Sequence, residues 1–315
     1  MDAIAHAAAH LGSGGLVAMP TETVYGLAAI ARNADAVARV FKAKGRPATN
    51  PLIVHASTLE MARDCCADWP QPADVLARAF WPGPLTLVMP RASWVPDSVT
   101  AGGPTVAVRV PNHPVALALI EAAGEPLVAP SANRSGYVSP TTPEHVRSAF
   151  GKDVFVLDGG PCEVGIESTV LAIDGDAVRV LRLGVIGPEE IRVAGVPLRE
   201  GERAGAGPVA SPGLLGPHYQ PRARVVLVET IEAVHAAIGD GPCVLLSPPG
   251  VPVAVDPPNA SIAMPAEASA YARELYAALR EADVMGAAVV VACVPEGGGS
   301  TFEAVRERLR RAAGA

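Results

Sequence analysis

The chain has 315 residues, of which 50% are hydrophobic, 18% are charged and 4% are aromatic. This length predicts two domains of about 150 residues, each with an aliphatic core, and the composition excludes a disordered chain. The longest apolar run lies between Gly286 and Pro295 and is too short to cross a bilayer, so we expect no membrane partner. Acidic residues outnumber basic ones by 32 to 25, and the net charge of −7 disfavours a broad nucleic-acid-binding surface.

Targeting signals and cysteine spacing both favour the cytoplasm. The N-terminus has no basic segment of the kind that opens a signal peptide, so we predict a cytoplasmic protein. The five cysteines are odd in number and have no C-x-x-C spacing, which is untypical of a disulfide framework or a zinc site. We therefore expect buried thiols and no metal that protein side chains bind tightly.

The order of apolar runs and helical patterns divides the chain into two α/β parts. Residues 1–194 contain short apolar runs that alternate with helical patterns, which predicts an α/β domain on a large twisted sheet. Its strands are expected at 16–19, 52–55, 85–89, 105–110, 127–129, 154–157, 169–173 and 178–181, and its helices at 34–44, 59–67, 114–123, 143–150 and 188–193. Residues 195–222 are rich in glycine and proline, which predicts a linker.

Residues 223–315 show the same alternation on a smaller scale. Strands are expected at 224–228, 244–247 and 288–293, and amphipathic helices at 231–238, 267–283 and 301–312. Strands separated by helices favour a parallel sheet, so we predict a small Rossmann-like α/β domain. No G-x-G-x-x-G follows its first strand, so the likeness to dinucleotide-binding domains concerns topology alone.

Hydroxyl and cationic side chains concentrate near the first predicted strand. The segment P-T-E-T-V-Y-G-L, residues 20–27, follows that strand, and ligands commonly bind at the carboxyl edge of an open α/β sheet. The apolar face of the next helix continues into Lys44 at the helix end, and Arg46 follows in K-G-R-P. A cation at a helix end can be a dipole partner only. Two cations between a helix and a proline favour a polyanion site.

Polar residues recur at the ends of other predicted strands. Thr105 and Arg109 are four residues apart on an apolar strand, so both face the same side of the sheet. Such an arginine is either paired structurally or recognises a carboxylate or phosphate, and the pattern leaves both alternatives open. Further polar groups stand at strand ends, namely Ser131, Asn133, Ser168 and Arg182. No G-x-x-x-x-G-K-[ST] is present, so side chains would replace the backbone cradle of a P-loop.

Six ordered motifs resemble those of the YrdC superfamily. They are P-T-E-T-V-Y-G-L, K-G-R-P-A-T-N-P-L, W-P-G-P-L-T, T-V-A-V-R-V-P, A-P-S-A-N-R-S-G and E-S-T-V, between residues 20 and 170. The segments S-P-G-L-L-G-P-H-Y-Q-P, 211–221, and A-R-E-L-Y-A-A-L-R-E-A-D, 272–283, are similar to its two-domain branch, the threonylcarbamoyl-AMP synthases. The resemblance covers nearly the whole chain. It implies a large twisted-sheet YrdC-like domain followed by a small Rossmann-like domain.

The resemblance implies a nucleotidyltransferase activity, L-threonylcarbamoyladenylate synthase. L-Threonine, bicarbonate or CO2, and ATP with its Mg2+ would become threonylcarbamoyl-AMP and pyrophosphate. The product would serve a downstream tRNA threonylcarbamoyltransferase complex that modifies an adenosine beside the anticodon, and weak RNA binding is a further expectation. The carbamate nucleophile and the triphosphate are both anionic, so the protein must chiefly neutralise charge and align the two.

The motif positions imply roles for individual residues. Lys44 and Arg46 would be the catalytic cations at the triphosphate. L-Threonine would be held by Thr23, His55, Arg109 and Ser168, with the Arg109 guanidinium binding the carboxylate through two hydrogen bonds. ATP would contact Arg46, Asn50, Thr105, Ser131, Asn133, Ser139, Arg182, His218 and Tyr219. His218 and Tyr219 stand in the predicted linker, which we expect to close over the site as a lid that excludes water.

Two other classes of function remain alternatives at the level of the sequence. A carbamoyltransferase that uses carbamoyl-AMP would need additional domains, and the sequence has neither zinc-type cysteine pairs nor a further catalytic domain. A non-catalytic RNA-binding module would use a basic concave face, which the acidic composition and the threonine-site residues disfavour.

Overall fold

The computed structural model describes residues 3–199, 218–230, 233–234, 237, 241–251, 253 and 255–314. Its helices are α1 (Ala3–Gly12), α2 (Ala34–Lys44), α3 (Leu59–Asp64), α4 (Gln71–Phe80), α5 (Asp97–Thr100), α6 (Pro114–Ala123), α7 (Pro143–Phe150), α8 (Pro188–Val193), α9 (Ala268–Val284) and α10 (Ser300–Ala312). Its strands are β1 (Val17–Met19), β2 (Gly26–Ile30), β3 (Ile53–His55), β4 (Leu85–Pro90), β5 (Thr105–Arg109), β6 (Leu127–Val128), β7 (Phe155–Val156), β8 (Thr169–Asp174), β9 (Ala177–Arg182), β10 (Arg224–Val228), β11 (Cys243–Leu246), β12 (Ala260–Ile262) and β13 (Val289–Cys293).

Two sheets organise these elements, and each forms the centre of a domain. The first domain contains a mixed sheet with the strand order β7-β1-β2-β6-β3-β5-β4-β8-β9. The C-terminal domain contains a parallel sheet with the order β10-β13-β11-β12. Inside the large sheet, β5 lies parallel to β3 and antiparallel to β4, so the ends of β3 and β5 meet at one edge. These two sheets confirm the predicted α/β fold class.

Helix α2 shows how the local sequence positions the segment that carries Lys44 and Arg46. The Asn33 side chain caps the first turn by accepting a hydrogen bond from the Ala36 amide. Gly45 ends the helix in the left-handed conformation, with φ at 63°, which glycine adopts without a steric penalty. The chain therefore changes direction between Lys44 and Arg46, and the two cations point to different surroundings.

The two domains share a hydrophobic cluster. Val24, Val138, Ile166 and Leu183 of the first domain belong to the same cluster as large side chains of α9 and α10, among them Tyr271, Leu275, Tyr276, Leu279, Phe302, Val305 and Leu309. Burial of apolar surface stabilises the folded state by about 25 cal/mol per Å², so these contacts hold the two domains together. The domains are therefore joined by packing of the kind found inside a domain.

Several elements were absent from the sequence-based prediction, namely α1, β2, α4, α5 and β12. Strand β2 follows the first strand so closely that its opening glycine resembles a turn residue. In the structure a Cβ on Gly26 would lie 2.9 Å from the Cβ of Ala129, so the glycine permits close approach of two segments. The predicted helix 59–67 ends earlier, at Asp64, because Cys66 forms a β-bridge with Arg91.

The predicted linker 195–222 lies partly outside the described residues, which omit 200–217, and the predicted helix 231–238 lies mostly outside them. The described ends of the linker contact the folded domains. Leu198 pairs with Val178 of β9, and Gln220 pairs with Tyr137. Asp283 of α9 accepts hydrogen bonds from the backbone amides that follow Gln220.

The remaining sequence expectations concern cysteines, membranes and metals. All five cysteines are free, and four of them are buried, which confirms the buried thiols. Among the described residues no helix is long and apolar enough to cross a bilayer. The same residues contain no cluster of three or more His, Cys, Asp or Glu side chains arranged to hold a metal ion.

Candidate functional site

A cavity lies at the edge of the large sheet where β3 and β5 end. Water-sized molecules can occupy about 70 Å³ of it, and the empty space including its open mouth is about 680 Å³. Most of the predicted site residues line it, namely Thr23, Arg46, His55, Arg109, Ser131, Asn133, Ser139, Ser168, Arg182, His218 and Tyr219. Polar side chains from five of the six ordered motifs and from the segment 211–221 are thus brought to one cavity.

Arg109 is at the end of β5 and is held by three groups of the first domain. Its Nε donates to the Gly83 carbonyl at 3.2 Å, and its Nη1 donates to the Thr23 hydroxyl at 2.9 Å. Its Nη2 lies 2.7 Å from the Glu22 carboxylate, and both side chains are 4% exposed. The angles at this last contact are too poor for a hydrogen bond, so it is an ion pair only. The two alternatives for Arg109 are therefore not exclusive: it is paired structurally and still lines the cavity.

His55 lies beside Arg109, because β3 and β5 pair these two residues across the sheet. Burial, followed by the positive charge of Arg109, lowers the pKa of His55 to about 3. The ring is therefore neutral near pH 7. Its Nδ1 is buried and has no hydrogen-bond partner among the described residues, so an incoming ligand is the natural partner for it.

The cations of the K-G-R segment have different surroundings. Lys44 is 2% exposed, and its Nζ donates to the Ser131 carbonyl at 2.5 Å and to the Asn133 carbonyl at 2.6 Å. Arg46 faces the cavity and donates to the Pro51 carbonyl at 2.9 Å and to the Asn50 side chain at 2.5 Å. Lys44 therefore fixes the loop that forms one wall, whereas Arg46 offers its charge to the cavity.

Arg182 ends β9 and contacts Ser168, the residue that precedes β8. Its Nε donates to the Ser168 carbonyl at 3.1 Å, and its Nη2 donates to the Ser168 hydroxyl at 3.1 Å. The Ser168 hydroxyl also lies 2.8 Å from that of Thr86. Burial lowers the pKa of Arg182. Burial also lowers the pKa of Arg46 to about 10, and the charge of Arg182 adds to that effect, so these two cations repel each other in the cavity.

The A-P-S-A-N-R-S-G loop presents an unused acceptor. The Asn133 amide group donates to the carbonyls of Arg134 at 2.8 Å and Tyr137 at 2.7 Å, which fixes its orientation. Its Oδ1 is buried and has no hydrogen-bond partner among the described residues. Since Asn133 lines the cavity, this oxygen is available to a ligand or to a cation bound with it.

Three predicted site residues do not belong to the wall that the described residues form, namely Lys44, Asn50 and Thr105. Lys44 holds the Ser131 loop, and Asn50 holds Arg46. Thr105 does share a sheet face with Arg109, but it begins β5 and pairs with Pro90 at the opposite end. Residues 105 and 109 are four positions apart on the strand, a distance of about 13 Å. The alternation of side chains therefore predicted which face of the sheet Thr105 occupies, but not that it lies far from the cavity.

Several residues that shape the site were absent from the predicted set. Glu22 pairs with Arg109, and Glu167 accepts a hydrogen bond from Ser139 at 2.7 Å. The C-terminal domain contributes Tyr276, whose hydroxyl donates to Glu167 at 2.9 Å. Both glutamates stand inside recognised motifs, which is the signal that could have drawn attention to them. Tyr276 stands inside the quoted segment 272–283, but its spacing in α9 is that of an ordinary apolar face, which predicts packing and not a role at the site.

Comparisons with known proteins identify the family of the chain. A family profile described as Telomere recombination matches residues 9–184, and one described as Threonylcarbamoyl-AMP synthase, C-terminal domain, matches residues 186–314. The chain belongs to the threonylcarbamoyl-AMP synthase family. The family that the motifs predicted is confirmed, together with its enzymatic, nucleotidyl-transfer character.

Curated relatives and a solved structure extend the family match. Threonylcarbamoyl-AMP synthase of Pyrococcus abyssi is 46% identical over 229 residues, 71% of this chain and 67% of that protein. Its namesake from Bacillus subtilis is 45% identical over 230 residues, 72% of this chain and 66% of that protein. The matches thus span about two thirds of each relative. A crystal structure of P. abyssi Sua5 complexed with L-threonine has a TM-score of 0.87 at 38% identity and covers 99% of this chain and 94% of that chain.

Proposed function

We propose that the cavity binds L-threonine and ATP together and forms threonylcarbamoyl-AMP and pyrophosphate from them, with bicarbonate or CO2 as the source of the carbamate carbon. One observation carries the proposal: Arg46, Arg109 and Arg182 line a single cavity in a chain of net charge −7. Among the described residues that line the cavity, Glu167 is the acidic one, and its carboxylate lies 3.4 Å from Nε of Arg308. Glu22 pairs with Arg109 behind the wall, so the three arginines still outnumber the two carboxylates, Glu22 and Glu167, and the net charge around the cavity is positive, which suits anionic substrates.

The β3–β5 end of the cavity is assigned to threonine. Arg109 has five N–H donors and uses two of them in hydrogen bonds to Gly83 and Thr23, while its Nη2 forms the ion pair with Glu22, so donors remain for a carboxylate. The neutral His55 ring can accept a hydrogen bond from the amino or hydroxyl group of threonine. Thr23 and Ser168 add hydroxyls beside these groups. The structure of the P. abyssi relative in complex with L-threonine supports threonine as a substrate.

The remaining wall is assigned to ATP. Arg46 and Arg182 would neutralise the phosphates, which would also remove the repulsion between the two guanidinium groups. Ser131, Asn133 and Ser139 contribute short polar groups from one loop. Burial raises the pKa of Tyr219, so its hydroxyl stays protonated and can donate to a phosphate oxygen. His218 lines the same part of the wall.

The reaction requires the carbamate oxygen to attack the α-phosphorus in line while both groups are negatively charged. Positioning and charge neutralisation therefore account for the protein's contribution. We assign no general base, because a ring whose pKa is about 3 is too weak to remove a proton from an amine. His55 is instead a positioning residue for the amine that becomes the carbamate.

Mg2+ is proposed to enter with ATP. Hard oxygen donors suit this ion, which keeps several waters and binds mainly to substrate phosphates. The free Oδ1 of Asn133 is such a donor, and hydroxyls of Ser131 and Ser139 lie in the same wall. When bound, the ion would neutralise part of the triphosphate charge. These residues would hold the Mg2+–ATP complex without a separate metal cage.

The wider role is proposed from the same activity. Threonylcarbamoyl-AMP is a labile mixed anhydride, so a tRNA threonylcarbamoyltransferase complex must accept it soon after release. Weak RNA contact by this chain would assist that transfer. ATP, threonine and tRNA are all available in the cytoplasm, which is where we place the enzyme.

One assay tests the function. Purified chain with ATP, Mg2+, L-threonine and bicarbonate should release pyrophosphate and form an acid-labile threonylcarbamoyl adenylate, measured by chromatography and mass spectrometry. Omission of threonine or of bicarbonate should each abolish pyrophosphate release. Equal release without threonine would refute the proposal, and release that requires carbamoyl phosphate in place of threonine would favour a carbamoyltransferase.

A further inference from the structure

Glu167 is a buried carboxylate that receives contacts from both domains. From the cavity side, the Ser139 hydroxyl donates to its Oε1 at 2.7 Å. From the C-terminal domain, the Tyr276 hydroxyl of α9 donates to Oε2 at 2.9 Å, and Nε of Arg308 on α10 lies 3.4 Å from the same oxygen. Tyr276 and Arg308 are at most 1% exposed, so water does not replace these contacts.

The same two residues of the C-terminal domain also support Tyr219. The rings of Tyr219 and Tyr276 stack with centroids 5.4 Å apart and an angle of 26° between their planes. The Arg308 guanidinium lies 5.9 Å from the centroid of the Tyr219 ring. Tyr219 has a φ of 65°, a conformation that is unfavourable for a bulky residue and that persists only where the surroundings hold it. The stack with Tyr276 supplies such surroundings.

The charge on Glu167 depends on its neighbours. Burial opposes ionisation, but the charges of Arg308 and Arg182 and the hydrogen bond from Ser139 together hold the pKa of Glu167 below its usual value. Tyr276 faces the carboxylate as a donor, and Tyr219 lies next to it with its hydroxyl protonated. Glu167 is therefore ionised near pH 7, and it can orient Ser139 as a charged acceptor.

We propose that Tyr276 and Arg308 are positioning residues for the ATP half of the site, which they arrange through Glu167 and Tyr219. The inference rests on the proposed function, because it assumes that Ser139 and Tyr219 contact the nucleotide. The threonine half depends instead on Glu22 and Thr23, which hold Arg109 from within the first domain. Loss of either positioning residue should therefore weaken ATP binding and leave threonine binding almost unchanged.

The test compares Tyr276→Phe with Tyr271→Phe. Both tyrosines are buried on α9, but the Tyr271 hydroxyl has no hydrogen-bond partner among the described residues and packs edge-on against Phe302. Tyr276→Phe keeps the ring stack and removes one hydrogen bond to a charged acceptor, so the KM for ATP should rise about tenfold or more. The KM for threonine should change less than twofold, and Tyr271→Phe should behave as wild type.

A double-variant cycle separates positioning from general destabilisation. If Tyr276 acts on ATP through Glu167 and Ser139, the effects of Tyr276→Phe and Ser139→Ala on the KM for ATP should be strongly non-additive. The pH profile of Arg308→Met adds a second measurement. Burial of Glu167 remains while a cation is lost, so its pKa should rise, and ATP binding should weaken on acidification at a higher pH than in wild type.

ATP binding is also measured by calorimetry without threonine or bicarbonate, so the positioning proposal is tested even if the wild-type chain forms no adenylate. Circular dichroism and thermal melting check that each variant is folded. If Arg308→Met does not fold, the ATP affinity of Tyr276→Phe alone tests the proposal. The proposal is overturned if Tyr276→Phe leaves the affinity for ATP within twofold of wild type, or if it weakens ATP and threonine equally.

Discussion

Arg109 shows how a residue can be a structural partner and a ligand-binding group at once. Its ion pair with Glu22 is desolvated, with both side chains 4% exposed, and the hydroxyl of Thr23 accepts a hydrogen bond from its Nη1. Removal of one partner from a buried ion pair typically costs about 3–5 kcal/mol, because the other charge is left uncompensated. A simple alanine variant therefore confuses loss of ligand binding with loss of stability.

The first prediction separates the two effects at Arg109. Arg109→Ala should lower the free energy of unfolding and abolish threonine binding, whereas Arg109→Ala combined with Glu22→Gln should recover most of the stability and none of the threonine binding. Loss of a partner for the substrate carboxylate is expected to cost about 2–5 kcal/mol of binding. Chemical denaturation and calorimetry measure the two quantities. Recovery of threonine affinity in the double variant would contradict the assignment.

The second prediction concerns the neutral ring of His55. Its folded-state pKa is about 3 against about 6.5 in the unfolded chain, so between these values the unfolded state binds a proton that the folded state excludes. The free energy of unfolding should therefore fall as the pH is lowered from about 6.5 to about 3, by up to about 1.4 kcal/mol per pH unit for this residue. Burial also lowers the pKa of His145 to about 4. This residue should therefore lower the free energy of unfolding in the same way as the pH falls from about 6.5 to about 4.

His55→Gln isolates this contribution. The variant lacks the titrating ring, so its stability should depend less steeply on pH than that of wild type over the same range. His6→Gln, at an exposed position of α1, serves as the matched control and should keep the wild-type slope. Urea denaturation at pH 7, 6, 5 and 4.5 measures the difference. Identical slopes in wild type and His55→Gln would contradict the prediction.

At the scale of elements, Gly165 sets the approach between the first domain and α9. Its φ is 80°, and a Cβ there would lie 2.3 Å from the Cα of Arg273 and 2.6 Å from the carbonyl oxygen of Ala272. Contacts of this kind with backbone atoms cannot be relieved by a change of rotamer. A side chain at residue 165 would therefore displace the helix that carries Tyr276.

The third prediction is that Gly165→Ala destabilises the chain by about 1–3 kcal/mol beyond the cost of the backbone conformation alone, and weakens ATP binding as α9 moves. Gly124→Ala is the matched control, since Gly124 has a φ of 67° but open space around its Cβ. Thermal denaturation and ATP titration of both variants provide the measurement. Equal melting temperatures for the two variants would show that the contact with α9 can relax.

The elements also show what the sequence can and cannot predict. The apolar face of α2 predicted a helix that ends at Lys44, and the structure agrees. The partners of Lys44 are the carbonyls of Ser131 and Asn133, almost ninety residues later in the chain, and no local pattern specifies that contact. Alternation along β5 likewise predicted a shared face for Thr105 and Arg109, but only the strand register fixes which end reaches the cavity.

For the whole molecule, the shared hydrophobic cluster makes the domains interdependent. Val138, Ile166 and Leu183 are each at most 6% exposed because α9 and α10 cover them. Large exposed apolar patches are interaction sites or aggregation liabilities in soluble proteins. A first domain without the C-terminal domain would therefore expose these side chains.

The fourth prediction is that a chain ending at residue 199 retains the large sheet but is less stable than the full chain and self-associates. Gel filtration with light scattering and thermal melting test this expectation. Replacement of Val138 and Ile166 by threonine in the shortened chain should reduce association, because the uncovered surface becomes more polar. A monomeric shortened chain with the melting temperature of the full protein would contradict the prediction.

The contact between Leu183 and α10 also has a consequence for synthesis of the chain on the ribosome. Leu183 belongs to the first domain, yet Val305 and Leu309, which share its cluster, are made more than one hundred residues later. At a synthesis rate of about 5–20 residues per second, α10 is completed on the order of ten seconds after the first domain. During that interval its apolar surface is open to chaperones and to neighbouring nascent chains, so slow codons between β10 and α10 would lower the yield of folded enzyme.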